Sequence, residues 1–225
     1  MPVGLSRRNL LGSLALLGLV TPALAQANLL YGGSDSLPRD SSLLPPPESP
    51  VDFDIKPADL SKIPAPFRKQ LVNYPTRECP GTIIIDPDSR HLYLVRENNE
   101  AVRYGVGVGR AGFAWSGVAQ IGMKRRWPRW LPPEEMVVRD EKAAKWVNGM
   151  PGGPENPLGA RAMYLYANGV DTLYRIHGTN DPSSIGKAMS SGCVRMLNQD
   201  IADLYLRVPI GSKVIVLPSQ GASST

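Results

Sequence analysis

The chain has 225 residues, with 25 lysines and arginines against 20 aspartates and glutamates, for a formal net charge of +5. This mild excess argues against nucleic-acid binding, because nucleic-acid binders usually carry a larger and more clustered basic surface. The sequence contains no Walker loop and no cluster of metal-ligating residues, so neither a metal nor another cofactor is expected.

Residues 1–25 have the three parts of an export signal peptide. Arg7 and Arg8 precede an apolar run at residues 10–20, and the small-residue pattern Ala23-Leu24-Ala25 follows it. The paired arginines leave two signal types open, an ordinary secretory one and a twin-arginine one. The apolar run is about half of the ~20 residues that span a bilayer, so no permanent membrane anchor is expected. We therefore predict an exported protein of the periplasm or cell envelope.

Residues 26–77 are rich in proline, serine and aspartate and show no sustained apolar period. This composition is typical of a linker with polyproline II character. Scattered apolar residues between Ile55 and Tyr74 leave open that this part docks on the domain as a short helix. The sequence thus predicts a linker over 26–77, a folded domain over 78–218 and a short tail at 219–225.

The domain is predicted to be built from short strands. A Pro87-Asp88-Ser89 turn separates two β-branched or apolar runs, and Asn168-Gly169 is a strong signal for a second hairpin. The predicted strands are residues 82–85, 92–95, 102–108, 120–124, 163–166, 172–177 and 213–217. Helical spacing of apolar residues predicts one helix at 199–207, and a second short helix is expected within 132–147. Many strands and few helices favour a mainly β, β-sandwich-like domain.

The segment from His177 to Cys193 points to acyl-transfer chemistry. His177 is one of two histidines and precedes Cys193, one of two cysteines, by sixteen positions. A free thiol has a pKa of about 8.5 and is mostly protonated at neutral pH, so a nucleophilic cysteine needs a base, usually an imidazole. Gly192 lets the backbone turn so that neighbouring amides can face an oxyanion. By itself this spacing also fits a structural histidine and an inert cysteine.

The string around these residues resembles the active-site signature of the L,D-transpeptidases of the YkuD (ErfK/YbiS) family. That signature has a His-Gly-Thr segment, a Ser-Ile-Gly turn and then Ser-His-Gly-Cys-hydrophobic-Arg. This chain matches it from His177 to Arg195 and departs at Ser191, where the family usually has a second histidine. The opening hairpin, the strand at 104–110 and two long loops at 127–133 and 153–162 are also similar. The resemblance therefore covers about residues 78–218.

The resemblance implies a β-sandwich-like L,D-transpeptidase catalytic fold and a role for each residue that matches the motif. Cys193 would be the nucleophile and His177 the general base, oriented by the Gly178 carbonyl. The oxyanion hole would be formed by the amides of Gly192, Cys193 and Ser191. Further orienting or substrate-binding residues would be Arg195, Ser184 and Tyr166, with Trp127 and Trp130 as further aromatic residues of the cleft.

Alternatives remain for several of these side chains. Arg195 could instead form a salt bridge with Asp200 or Asp203, and large aromatic residues are more often simple packing residues. His91 is predicted to lie on the surface. Cys79 is expected not to be paired with Cys193, since a disulfide would consume the nucleophile.

By resemblance, the substrate would be the stem peptides of peptidoglycan, with a 3-3 cross-link or attachment of a wall-anchored protein as the outcome. A hydrolase or L,D-carboxypeptidase on the same fold is the first alternative, because water and an amine compete for the same thioester. A non-catalytic wall-binding module is the second. The pattern Gly107-x-Gly109-x-x-Gly112 fits a dinucleotide fingerprint by letter only, because no βαβ unit is predicted around it.

Overall fold

The computed structural model describes residues 51–109, 115–190 and 192–219. The predicted signal peptide and the first half of the predicted linker lie outside these residues. Within them, no helix is both long and apolar enough to cross a bilayer. The strands are β1 (Gln70–Asn73), β2 (Ile83–Asp86), β3 (His91–Val95), β4 (Glu100–Gly105), β5 (Val108–Gly109), β6 (Gly117–Arg126), β7 (Arg161–Ala167), β8 (Val170–His177), β9 (Ala188–Ser190), β10 (Val194–Arg195) and β11 (Lys213–Val216).

Helices are few and short, so the prediction of a mainly β domain is confirmed. The α-helices are α1 (Glu134–Arg139), α2 (Glu141–Ala144) and α3 (Asn198–Arg207), and short 3-10 helices lie at Leu60–Lys62, Ala65–Phe67 and Pro182–Ser184. The helix predicted within 132–147 is two helices. The backbone of Asp140 is extended there (φ −131°, ψ 107°), and its side chain accepts a hydrogen bond from the Lys142 amide, which begins α2.

Nine strands form one sheet in the order β1-β4-β3-β2-β11-β6-β7-β8-β10, and β5 pairs with β9 in a second, two-stranded sheet. In the large sheet β11 is parallel to β2 and β10 is parallel to β8, while the other pairs are antiparallel. Gly107, just after β4, forms a bridge with Arg195 of the edge strand β10. The segment that follows β4, near one edge of the sheet, therefore contacts β10 at the opposite edge. This contact fits a sandwich-like arrangement.

The core lies between the sheet and α3. Alternate residues of β2, Ile83 and Ile85, are fully buried, and Ile201 and Leu204 of α3 belong to the same buried cluster. Burying a side chain of this size contributes roughly 1.5–3 kcal/mol. Both predicted hairpins are confirmed, β2 with β3 and β7 with β8. The core therefore supports strand β8, which ends at His177, and strand β10, which begins just after Cys193.

Residues 51–77 differ from the predicted linker, because they pack on the domain. Strand β1 extends the sheet along β4, and Ile63 is buried in a small cluster with Ile185 and Leu197. Phe67 occupies the space that a side chain on Gly105 would need, since a Cβ there would lie 2.5 Å from the Phe67 Cβ. Ile63 and Phe67 are thus two apolar residues of this segment that pack against the domain.

His91 is buried, so the prediction that it lies on the surface was wrong. Its Nε2 lies 3.0 Å from the carbonyl oxygen of Pro66, and burial lowers the pKa of the imidazole. The side chain is covered by residues 51–77, which also place Phe67 against its ring. A pattern read within strand β3 alone could not reveal this cover.

Asp200, in the first turn of α3, is buried, and burial raises the pKa of its carboxyl to about 6 from 3.8. A carboxyl whose pKa is raised in the folded state lowers the free energy of unfolding above that pKa. It has no effect below about pH 3.8, where the carboxyl is protonated in both the folded and the unfolded forms. We expect Asp200→Asn to raise the free energy of unfolding by up to about 3 kcal/mol at pH 8 and to leave it unchanged near pH 3.5.

Denaturant unfolding at the two pH values measures this difference. Asp203→Asn on the same helix is the matched control. The pKa of Asp203 is lowered to about 2 by hydrogen bonds from Arg207, Lys69 and Tyr104 despite an opposing effect of burial. Asp203→Asn should lower the free energy of unfolding at pH 8. An increase in this free energy for both variants would contradict the assignment of a raised pKa to Asp200.

Candidate active site

Strands β8 and β10 bring the predicted catalytic residues onto one face of the sheet. His177 is the last residue of β8, and Cys193 directly precedes β10. The parallel register pairs Arg195 with His177 and Val194 with Ile176. Because side chains alternate along a strand, Arg175 and Cys193 share the face of His177 and Arg195, while Ile176 and Val194 point into the core.

The imidazole of His177 is fixed by its own loop. Its Nδ1 lies 2.6 Å from the carbonyl oxygen of Gly178, and the side chain is buried. Burial lowers the pKa of His177 to about 4, although the carbonyls of Gly178 and Leu158 favour the charged form. The Gly178 carbonyl only accepts, so Nδ1 of the neutral ring carries the proton and Nε2 carries the lone pair. At neutral pH the ring is therefore uncharged and able to take a proton.

The Cys193 thiol is half-buried, and burial raises its pKa. A hydrogen bond from the backbone of Arg175 and the charges of Arg175 and Arg195 act in the opposite direction. Neither Cys79 nor Cys193 is in a disulfide, and Cys79 is exposed. The resting site thus holds a protonated thiol and a neutral imidazole, and a thiolate forms when the proton leaves the sulfur.

The turn before the nucleophile depends on glycine. Gly192 is buried and has φ +124°, a region that favours glycine. Gly109 of β5 packs against it so closely that a Cβ on Gly109 would lie 2.8 Å from the Gly192 Cα. Ser191 lies outside the described residues, so its part in an oxyanion hole stays a prediction.

Arg195 lies beside Cys193 rather than in an ion pair with α3. Its backbone exchanges two hydrogen bonds with Gly107, at 2.8 and 2.9 Å. Burial lowers the pKa of its guanidinium, and Asp181 and Cys193 oppose that effect. In the described part of the chain, Arg195 makes no ion pair with Asp200 or Asp203. Its charge is thus available to a thiolate or to a carboxylate of a ligand.

The predicted orienting or substrate-binding roles of Ser184 and Tyr166 stay predictions. The hydroxyl of Ser184 donates to the carbonyl oxygen of Asp181 at 2.6 Å and is buried, so it closes the turn between His177 and Cys193. Tyr166 lines a surface depression together with Gly169 and Lys213.

The two tryptophans predicted for the cleft make structural contacts. Trp127 is fully buried, packs edge-on against Phe53 and donates to Asp52, which is a packing role. Trp130 is half-buried, and its backbone forms a bridge with Met150. These contacts do not bring either ring to the Cys193 site.

Sequence reasoning missed two groups beside Cys193. Asp171 and Arg175 form an ion pair on β8, the strand that ends at His177. Trp115 and Tyr174 are in ring contact, and the Trp115 amide donates to the Tyr174 hydroxyl. The second pair lines a small apolar cavity that reaches Gly192. Two opposite charges in the strand before His177 were the signal that could have revealed the first group.

The described residues contain no group of three or more histidine, cysteine, aspartate or glutamate side chains able to hold a metal ion.

The sequence model of one protein family, described as YkuD, L,D-transpeptidase catalytic domain, matches residues 80–216. The chain belongs to this family. The YkuD match includes β2 to β11 and both His177 and Cys193.

Two relatives carry the same family description. The probable L,D-transpeptidase YbiS of Escherichia coli K12 is 32% identical over 139 residues, which are 60% of this chain and 43% of that protein. The probable L,D-transpeptidase ErfK/SrfK of the same strain is 32% identical over 145 residues, 61% of this chain and 44% of that protein. The chain thus spans less than half the length of these relatives.

One solved structure, described as a probable carnitine operon oxidoreductase from Brucella melitensis, shares 50% identity. It covers 71% of this chain and 99% of its own length, with a TM-score of 0.47.

Proposed function

We propose that this protein is an exported cysteine-dependent L,D-transpeptidase acting on peptidoglycan stem peptides. The observation that carries the proposal is the state of His177. Its Nδ1 is held by the Gly178 carbonyl, and its Nε2 is left as an acceptor on the strand next to Cys193. A neutral base beside a protonated thiol is the starting state that general-base activation of a nucleophile requires.

The reaction would have two acyl-transfer steps. His177 Nε2 takes the Cys193 proton, and the sulfur attacks a peptide carbonyl on the acyl side of an L-centre. The C–N bond breaks, and the imidazolium returns the proton to the leaving D-amino acid. An amine of a second stem peptide, or of a wall-anchored protein, then attacks the thioester and releases Cys193.

Stabilisation of the oxyanion would come from backbone amides at the Gly192 turn. In enzymes studied this way, the loss of a single donor costs about 3 kcal/mol. Arg195 would lower the pKa of the thiol or bind a carboxylate of the substrate.

Export to the periplasm or cell envelope is part of the proposal. It rests on the signal-like sequence of residues 1–25, since peptidoglycan lies outside the cytoplasmic membrane.

A hydrolase or L,D-carboxypeptidase is the second candidate, because water can replace the amine at the thioester. A dinucleotide-binding role for the pattern Gly107-x-Gly109-x-x-Gly112 would need a glycine-rich turn between a strand and a helix of a βαβ unit. Gly109 lies in β5, which pairs with β9, and the next described element along the chain is strand β6. Gly107 bridges to Arg195 and Gly109 packs against Gly192, so both glycines support the turn at Cys193.

The test is product analysis with a disaccharide-tetrapeptide substrate, using the chain from residue 26. A cross-linked dimer detected by mass spectrometry supports the transferase, and a tripeptide alone supports the hydrolase. Unchanged substrate after long incubation would contradict both.

A further inference from the structure

The ion pair between Asp171 and Arg175 is held in a fixed geometry. Arg175 Nη1 and Nη2 donate to the two carboxylate oxygens of Asp171 at 2.7 and 2.8 Å. Asp171 also accepts from the backbone amide of Leu173 at 2.8 Å. Leu173 has φ +63°, so the strand bulges between the two charges and brings them together. A two-point contact of this kind fixes the orientation of a guanidinium group.

A third residue holds the same guanidinium from the neighbouring strand. The antiparallel register of β7 and β8 pairs Tyr164 with Arg175, and the Arg175 guanidinium carbon lies 4.2 Å from the centre of the Tyr164 ring. At this distance the ring quadrupole attracts the cation. Asp171 and Tyr164 together leave Arg175 little freedom to move.

Arg175 is also next to the nucleophile. The register of β8 and β10 sets it beside Cys193 on the same face, and its backbone donates a hydrogen bond to the thiol. The other titratable or charged groups that face Cys193 are His177, Arg195, Asp171 and Tyr174. Among the groups named in this paragraph, Arg175 and Arg195 are the two cations.

We propose that Arg175, fixed by Asp171 and Tyr164, is a positioning residue that stabilises the thiolate form of Cys193. When the proton moves from the sulfur to His177 Nε2, a negative charge appears in a half-buried site that disfavours it. A fixed cation on the adjacent strand offsets this cost without reorganising. The inference deepens the proposed function and rests on Cys193 being its nucleophile.

The experiment measures the thiol without any substrate. Alkylation of Cys193 by iodoacetamide is followed by intact-protein mass spectrometry between pH 6 and 10, in a Cys79→Ser background that leaves one reactive thiol. Only the thiolate reacts, so the midpoint of the rate profile reports the pKa of Cys193. Arg175→Gln should move the midpoint up by about one unit and slow alkylation about tenfold at pH 8. Arg175→Lys should restore most of the rate, because it keeps the charge.

Arg207→Gln is the matched control. Arg207 also donates two hydrogen bonds to an aspartate four residues away, Asp203 on helix α3, where both bonds go to one carboxylate oxygen. The midpoint of the alkylation profile of Arg207→Gln should equal that of the parent protein. An unchanged midpoint in Arg175→Gln, or an equal shift in Arg207→Gln, would overturn the proposal.

Arg175→Met supplies a second variant should Arg175→Gln fail to fold. It keeps an aliphatic side chain against the Tyr164 ring and removes the charge, so its midpoint should also move up. A midpoint that stays or moves down would overturn the proposal. Turnover of the disaccharide-tetrapeptide by the parent protein is measured separately, so failure of the proposed function is distinguishable from failure of this inference.

Discussion

Replacing Cys193 with alanine is expected to abolish turnover of the disaccharide-tetrapeptide while leaving the fold intact. In the proposed mechanism the Cys193 sulfur forms the thioester, so this variant has no sulfur to acylate. The loss of one half-buried sulfur should change the melting temperature little. Product formation measured by mass spectrometry, together with thermal unfolding, tests both statements.

Cys79→Ser is the matched control for this variant. Cys79 is exposed and lies away from β8 and β10, so its replacement should leave the rate unchanged. Unchanged product formation by Cys193→Ala would rule out thioester chemistry at this position.

Replacing His177 with alanine should lower the rate by about 10²–10⁴, the usual contribution of general acid–base catalysis. Without the imidazole the thiol has no acceptor for its proton, and burial keeps it protonated. Ser191→Ala should cost much less, because only the backbone amide of this residue is expected to take part. Steady-state rates of both variants in the same assay make the comparison.

Equal and large losses for the two variants would contradict this assignment. They would mean that the Ser191 side chain has been recruited where the family usually has a second histidine.

Local sequence pattern was enough to predict most strands and α3. The hairpins flank clear turn signals, and the helix repeats apolar residues at helical spacing, so neighbouring residues determine these elements. Strand β1 was missed because its side chains are mostly exposed and it is defined only by pairing with β4. The same non-local packing explains His91, which is buried by a segment 25 residues earlier in the chain.

The candidate site was predictable in part. The motif named His177 and Cys193, and the structure places His177 at the end of β8 and Cys193 just before the adjacent strand β10. The motif could not separate a residue that faces the site from one that serves packing, because that depends on strand register. Trp127, predicted for the cleft, is fully buried with packing contacts, whereas Arg175 faces Cys193 and carries no motif signal. The cleft role of Tyr166, which pairs with Asp171 across β7 and β8, stays a prediction.

Acylation by a carbapenem is the most direct test of Cys193 as a nucleophile activated by His177. The strained ring presents an electrophilic carbonyl, so a thiolate can form a stable thioester without an acceptor. Intact-protein mass spectrometry should show a single adduct, mapped by digestion to the peptide that contains Cys193. Burial raises the pKa of this thiol, and the pKa of His177 is about 4, so the rate should rise with pH between 6 and 9. An adduct confined to Cys79, or no adduct after long exposure of the folded protein, would contradict the assignment.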